Sequence, residues 1–274
     1  MQIMSLITAL PGAAAQGLIW GIMAIGVYIT FRILDIADLT VDGTLCTGGA
    51  VCIMMMLSGH NVWVSMLVAT GAGLLAGLAT GIFHTFMGIP AILAGILTQL
   101  SLYSVNLKIM GKANQAINVD KFNLLVSLRR VKGVALTQNT LFIVAIMIII
   151  LIAVLYWFFG TELGCSLRAT GCNPSMSRAQ GINTDRNKVL GLMLSNGLVA
   201  LSGALLTQYQ GFADINMGRG SIVIGLAAVI IGEAIFSRIF RNFALKLLSV
   251  VFGSILYYLV LQIVIWMGID TDLL

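Results

Sequence analysis

No charged residue interrupts the chain between Asn139 and Phe159, a stretch that contains MIIILIAVLYWFF and closes on the aromatics Tyr156, Trp157, Phe158 and Phe159. About 20 such residues in a helix cross the hydrocarbon core of a bilayer, and aromatic rings at the end of the helix suit the lipid–water interface. The rest of the chain agrees. Hydrophobic residues make up 59% of it and charged residues 9%, against about 25% charged in a soluble domain. That is too few charges to coat a water-facing surface, which excludes a soluble enzyme and a DNA-binding protein. The chain reads as an all-α, polytopic transmembrane bundle. Its formal charge of +5 then belongs to Lys and Arg at helix ends, near lipid headgroups, rather than to nucleic-acid binding.

The hydrophobic pattern predicts about eight spans: 12–31, 45–57, 62–87, 90–107, 139–159, 190–209, 221–236 and 243–267. The N-terminal stretch MQIMSLITALPGAAAQG lacks the basic n-region of a secretory signal and runs straight into the first span. The second span is short and is fed by the polar stretch RILDIADLTVDG, so it is expected to be broken or partly re-entrant, with irregular backbone shielded by protein. Gly73, Gly77 and Gly81 form a double GxxxG ladder on the third span, a spacing that lets another helix backbone approach closely. Six Lys and Arg mark 108–137 as an extramembrane excursion; within it KFNLLVSLRR fits either a strand or a short amphipathic helix. The blocks IADLTVDG (36–43) and FADINMGRG (212–220) echo one another after the first and sixth spans. Broken helices in matching positions of two halves occur in transporter folds; chance similarity over so few positions is the other reading.

The loop 160–188 is not an ordinary linker. Asn173 is placed to cap a helix, Pro174 suits its first position, and Gly181 suits the residue just past its end. These signals predict a helix over 174–180, too short to be stable alone in water, so it rests on the membrane surface or docks on a soluble partner. Assigning the loop to the cytoplasm puts almost equal numbers of Lys and Arg on the two sides of the membrane, so charge bias leaves the orientation open.

Single residues divide between structural and functional readings. Carboxylates at membrane depth usually face a pathway or a partner, which makes Asp38, Asp42 and Asp214 gate or pathway candidates, with capping as their structural alternative. Gln99 and Asn196, with Thr98, Ser101, Asn106, Ser195 and Ser202, either line a path or bond between helices. Tyr28, Phe31 and Phe86 are available to stack on an aromatic solute. Glu233, followed by Arg238 and Arg241, is expected to form an ion pair at headgroup level, with a contact to a soluble partner as the alternative. The cysteines at 46, 52, 165 and 172 read as free thiols, and neither they nor His60 and His84 make a metal site. No nucleophile sits with a base, and no GxxxxGK[ST] sequence is present, so the chain is not expected to hydrolyse ATP.

The segment TELGCSLRATGCNPSMSRAQGI closely resembles the cytoplasmic coupling segment of permease subunits of bacterial ABC importers of the branched-chain amino acid and sugar type. GLIWGIMAIGVYITFRILDIADLTVDG and GLAAVIIGEAIF resemble the same family, and the likeness is greatest to its tryptophan and tyrosine permease subgroup. Cys165 and Cys172 depart from it, standing where small or acidic residues are commoner. The resemblance implies one permease domain over 1–274 in the bacterial inner membrane, with 108–137 outside and 160–188 in the cytoplasm. It implies a homodimer, a cytoplasmic ATPase that binds the ATP and Mg, and an extracytoplasmic substrate-binding lipoprotein. Arg168, Asn173, Pro174, Ser175, Met176, Arg178 and Gly181 would then couple to the ATPase. The permease would carry a small organic solute of the amino acid class, aromatic ones included, by alternating access and without a cofactor of its own. An ion-coupled secondary transporter is the alternative; it leaves the capped helix without a use.

Overall fold

The computed structural model describes residues 2–117, 122, 124–131, 139–240 and 242–267. Its helices are α1 (Gln2–Tyr28), α2 (Thr40–Leu57), α3 (Val62–Thr85), α4 (Ala91–Met110), α5 (Thr140–Gly160), α6 (Glu162–Cys172), α7 (Pro174–Ala179), α8 (Thr184–Gln210), α9 (Ser221–Phe236) and α10 (Phe243–Trp266). Two short strands, β1 (Asn114–Ala116) and β2 (Phe212–Asp214), pair antiparallel. Among the described residues seven helices are long and apolar enough to cross a membrane, namely α1 from Ala9 on through Ile33, α2, α3, α4, α5, α8 and α10. The eighth expected span, α9, has 16 residues, a rise of about 24 Å, and falls short of full thickness.

The shortfall is explained by how the chain reaches α9. At the end of α8, Gly211 takes a left-handed φ of 82° and terminates the helix. Residues 211–220 then fold back against α2: Gly218 lies against the Asp42 carbonyl, and Met217 packs on Gly49. The second span is built the same way. Helix α1 ends in a π-helical turn, Ile29–Ile33, and Asp35 takes φ 56°, the one left-handed non-glycine residue among those described. Non-helical residues 34–39 lead into α2. The expected break therefore lies ahead of α2, which is itself continuous.

The faint echo in sequence is a repeat in structure. Asp38 Oδ1 accepts from the Thr40 amide at 2.9 Å, and Asp214 Oδ1 from the Asn216 amide at 2.8 Å. The offset that lays Asp38 on Asp214 also lays Asp35 on Gly211, Asp42 on Gly218, Ile19 on Ser195 and Gly26 on Ser202. Ser195 Oγ donates to the Gly26 carbonyl at 2.7 Å and Ser202 Oγ to the Ile19 carbonyl at 2.8 Å. These two bonds exchange under that offset, as do the partners Asp42 and Gly218, so a pseudo-two-fold relation passes between α1 and α8. Helix α3 packs along α8 and α10 along α1, which completes two halves, α1–α3 and α8–α10.

Burial follows this arrangement. The spanning parts of α1, α2 and α8 are 78%, 72% and 67% buried, those of α4 and α5 only 22% and 17%. The glycine ladder of α3 faces α8 as its spacing predicts: Gly73 meets Asn196 and Ala200, Gly77 meets Leu192 and Met193, and Gly81 meets Val189. Of the 108–137 excursion, β1 and a 3-10 turn over Leu128–Val131 are described; residues 118–121, 123 and 132–137 of it lie outside the described residues.

Candidate functional site

Two places gather the polar residues. One is the junction where the start of α2 meets the middle of α8. Asn196 there donates to Asp38 Oδ2 at 2.7 Å, and its Oδ1 accepts from Thr44 Oγ1 at 2.7 Å. Asp38 is 2% exposed and Asn196 is fully enclosed. Next to them Thr40 and Thr80 share a 2.7 Å bond, and Thr80 donates to Thr98 at 2.9 Å, linking α2, α3 and α4. A polar side chain in a span that finds such a partner contributes about 0.6 kcal/mol per bond, and leaving it without one costs more. This network locks the start of α2 to α8, the position that structural readings of Asp38 and Asn196 anticipate.

One turn on, Asp42 does a different task. Its Oδ1 accepts from Ser221 Oγ at 2.8 Å and the Ile222 amide at 2.9 Å, and its Oδ2 from the Gly220 amide at 3.1 Å. Those amides open α9, whose own N-cap residue is Gly220, without a side chain to cap it. A carboxylate borrowed from α2 thus satisfies the orphan donors of α9 and faces the positive end of its dipole.

Beside Asp42 a cavity of about 300 Å³ opens between α2, α4 and the 211–220 segment. Gln99 lines it, as do Tyr103, Asn106 and Arg219. Of the sequence candidates, then, Asp42 and Gln99 come together on one cavity, Asp38 and Asn196 form the closed lock behind it, and Asp214 stands apart on β2, bonded to Asn114 Nδ2 at 3.2 Å. Tyr28, Phe31 and Phe86 do not line this cavity. Arg219 and Tyr103 were not singled out from sequence; Arg219 was legible as the cation within the FADINMGRG block. A larger groove of about 630 Å³ between α5 and α8 is lined by apolar side chains only and offers little to orient a polar solute.

The other place is the α6–α7 loop. Asn173 Oδ1 accepts from the Met176 amide at 3.0 Å, Pro174 begins α7, and Gly181 takes φ 81° just beyond its end. The capping signals thus give the predicted helix, one residue shorter than expected. Helix α6 was not anticipated. Thr161 caps it through the Gly164 amide, and it buries Gly164, Leu167 and Thr170. Asn187 near the start of α8 donates to Thr170 Oγ1 at 2.8 Å, while Gly171 nests on the Ile33 carbonyl at the end of the first span. Arg178 bonds Thr184 Oγ1 at 2.7 Å and Asp185 Oδ1 at 3.1 Å. Arg168 lies 5.3 Å from the Phe243 ring centre, close enough for a cation–π contact. Met176 is 62% exposed, and Asn173, Pro174 and Ser175 are exposed beside it. On the same side Glu233 pairs with Arg32 at 3.1 Å rather than with the nearby Arg238; Arg241 lies outside the described residues.

Residues 10–273 match the family described as branched-chain amino acid transport system / permease component. The chain belongs to that family. As a permease it resembles the tyrosine transport system permease protein of Clostridioides difficile (strain R20291), 39% identical over 94% of this chain and 84% of the relative. It is 25% identical to the fructose import permease protein FruF of Bifidobacterium longum (strain NCC 2705), over 86% of this chain and 64% of the relative. It is also 29% identical to the autoinducer 2 import system permease protein LsrC of Yersinia pseudotuberculosis, over 80% and 60%. Among solved structures, PsaBC from Streptococcus pneumoniae in complex with Fab matches with a TM-score of 0.46 at 19% identity, covering 95% of each chain. The chain is a multi-pass inner-membrane permease of an ABC importer for small solutes, not itself an enzyme. Membership implies an ABC ATPase and a substrate-binding protein as partners.

Proposed function

We propose that this permease imports a small amino acid, with a hydrophobic or aromatic side chain, as a homodimer driven by a separate cytoplasmic ATPase. The observation that carries the reading is the chain of hydrogen bonds and close contacts that runs from the exposed α7 and the adjoining α6, through α8, to the start of α2. A push on α7 reaches α8 through Arg178–Asp185, and through the adjoining α6 it reaches α8 at Asn187–Thr170 and the end of the first span at Gly171 on Ile33. Helix α8 carries Asn196, which holds Asp38 and Thr44 at the start of α2. Asp42 on α2 in turn holds the start of α9. Packed interfaces of this kind switch between discrete arrangements rather than deform continuously. Closure of the ATPase would thus move both broken helices at once and open the path to alternate sides.

Helix α4 supports the second copy. It is the least apolar of the spanning helices and yet only 22% buried, and Ser101, Ser104 and Lys108 are exposed on it. Helix α5 is equally exposed but carries no charge; it suits lipid, whereas the α4 face suits a protein partner across a wet path. ATP and Mg would bind the ATPase, whose nucleotide-binding sequence this chain lacks. The binding lipoprotein would dock on the side of β1 and β2. The amino acid assignment draws on the tyrosine permease relative. A photo-crosslinking residue in place of Met176, activated in native membranes, is expected to yield an adduct with the ATPase subunit; adducts with lipid alone would refute the docking assignment.

A further inference from the structure

The cavity beside Asp42 holds an anomaly. Asn106 is 1% exposed and lines the cavity, and its Oδ1 has no hydrogen-bond partner; the only other such buried side-chain atom among the described residues is Trp20 Nε1. The Asn106 amide bonds the Cys46 side chain, and its Nδ2 donates to the Gly43 carbonyl at 3.4 Å. Buried amide oxygens are almost always paired, so this one waits for a donor that the folded chain does not supply. On the same wall Asp42 uses three of its roughly four acceptor sites on α9, two at Oδ1 and one at Oδ2. One direction at Oδ2 is left. The cavity also carries a cation: among the described residues no carboxylate lies within ion-pair distance of the exposed Arg219 guanidinium. Tyr103, 43% exposed, adds an aromatic face.

An acceptor pair short of a donor, beside a free guanidinium, matches a molecule that bears an ammonium and a carboxylate together. We propose that this cavity binds a free zwitterionic α-amino acid. Its ammonium sits between Asn106 Oδ1 and Asp42 Oδ2, its carboxylate on Arg219, and its side chain against Tyr103. The volume of about 300 Å³ is at the small end of ligand pockets, about 300–1,000 Å³, and suits one such solute. Because the ammonium site shares Asp42 with the cap of α9, loading would be felt at the start of that helix. This site deepens the importer reading given above and rests on it for the amino acid class.

The test uses the full chain in nanodiscs, with L-tyrosine, L-tryptophan and L-leucine as probes, each compared with its decarboxylated amine and its deaminated acid. At least one amino acid is expected to bind about tenfold more tightly than both of its analogues, since each analogue leaves a charged hydrogen-bonding group unpaired. Arg219→Gln, at an exposed and unpaired side chain, should weaken amino acid binding about tenfold and erase the preference over the amine while keeping that over the acid. Asn106→Leu should do the reverse; if that variant does not fold, the arginine variant decides. Binding by none of the three, equal binding of the analogues, or wild-type affinity in Arg219→Gln would each overturn the site. ATP-driven uptake that persists unchanged in Arg219→Gln would remove the site and leave the importer standing. Uptake independent of ATP would remove the importer, whatever the cavity binds.

Discussion

Replacing Gly77 by alanine tests the packing on which the α3–α8 contact rests. A Cβ built there would lie 2.7 Å from the Leu192 carbonyl carbon and 2.8 Å from Met193 Cα. Ordinary contact begins at 3.4 Å, and these are backbone atoms, so no side chain can swing aside. Helix α3 would have to retreat by at least about 0.7 Å along this line, and a gap of 0.5–1 Å forfeits about a quarter to a half of each dispersion contact it opens. Overpacking of this kind costs about 1–3 kcal/mol. Gly71, on the same helix, has nothing within 4 Å of its Cβ position, and alanine there gains up to about 1 kcal/mol of helix propensity. Thermal unfolding in one detergent should therefore place Gly77→Ala about 2–16 °C below Gly71→Ala, from a difference of about 1–4 kcal/mol at about 2–4 °C per kcal/mol for a chain of this size. Equal midpoints for the two variants would refute the close approach of α3 to α8.

Three further outcomes follow from the same structure. Asp42→Ala should destabilise the protein by about 2–4 kcal/mol, because it strips two backbone donors of α9 of a charged acceptor, and hydrogen exchange at residues 220–222 should speed up; unchanged exchange there would contradict the borrowed cap. Gly181→Val forces a β-branched residue to φ 81°, and Arg178→Glu sets two acids against each other at Asp185; both should lower solute uptake per ATP hydrolysed severalfold while the protein still inserts, and parental coupling ratios would count against the docking loop. Ser195→Ala and Ser202→Ala break bonds that the repeat makes equivalent, so each should cost a similar amount, about 0.6 kcal/mol and at most about 1.7 kcal/mol; a large effect at one and none at the other in denaturation would argue against the pseudo-two-fold.

Local chemistry was the readable part. Asn173, Pro174 and Gly181 define α7 through bonds within a few residues, and the spans follow from unbroken apolar runs. Helix α6 is not legible in the sequence because ELGCSLRATGC has a buried stripe of only Gly164, Leu167 and Thr170; what holds it is Asn187 and the Ile33 carbonyl, distant in sequence. Helix α8 begins at Thr184 rather than 190 since Asp185, Arg186, Asn187 and Lys188 have a loop's composition, yet Asn183 caps them into a helix. The partnership of Asp42 with the start of α9 joins residues 178 or more apart, and that of Arg32 with Glu233 spans 201. No periodicity encodes such pairs. The repeat itself was visible only as two short echoes, because local turn geometry at Asp38 and Asp214 needs few identical side chains.

The central claim is that α7 passes the work of a separate ATPase to the junction of the two broken helices. Gentle solubilisation of the tagged chain from its native membrane, with mass spectrometry of what co-purifies and uptake measured after reconstitution, addresses it most directly. The account predicts a soluble ATPase subunit in equal amount with the permease, and uptake that stops without ATP. A chain recovered alone, whose uptake continues without ATP and follows an ion gradient, would contradict it.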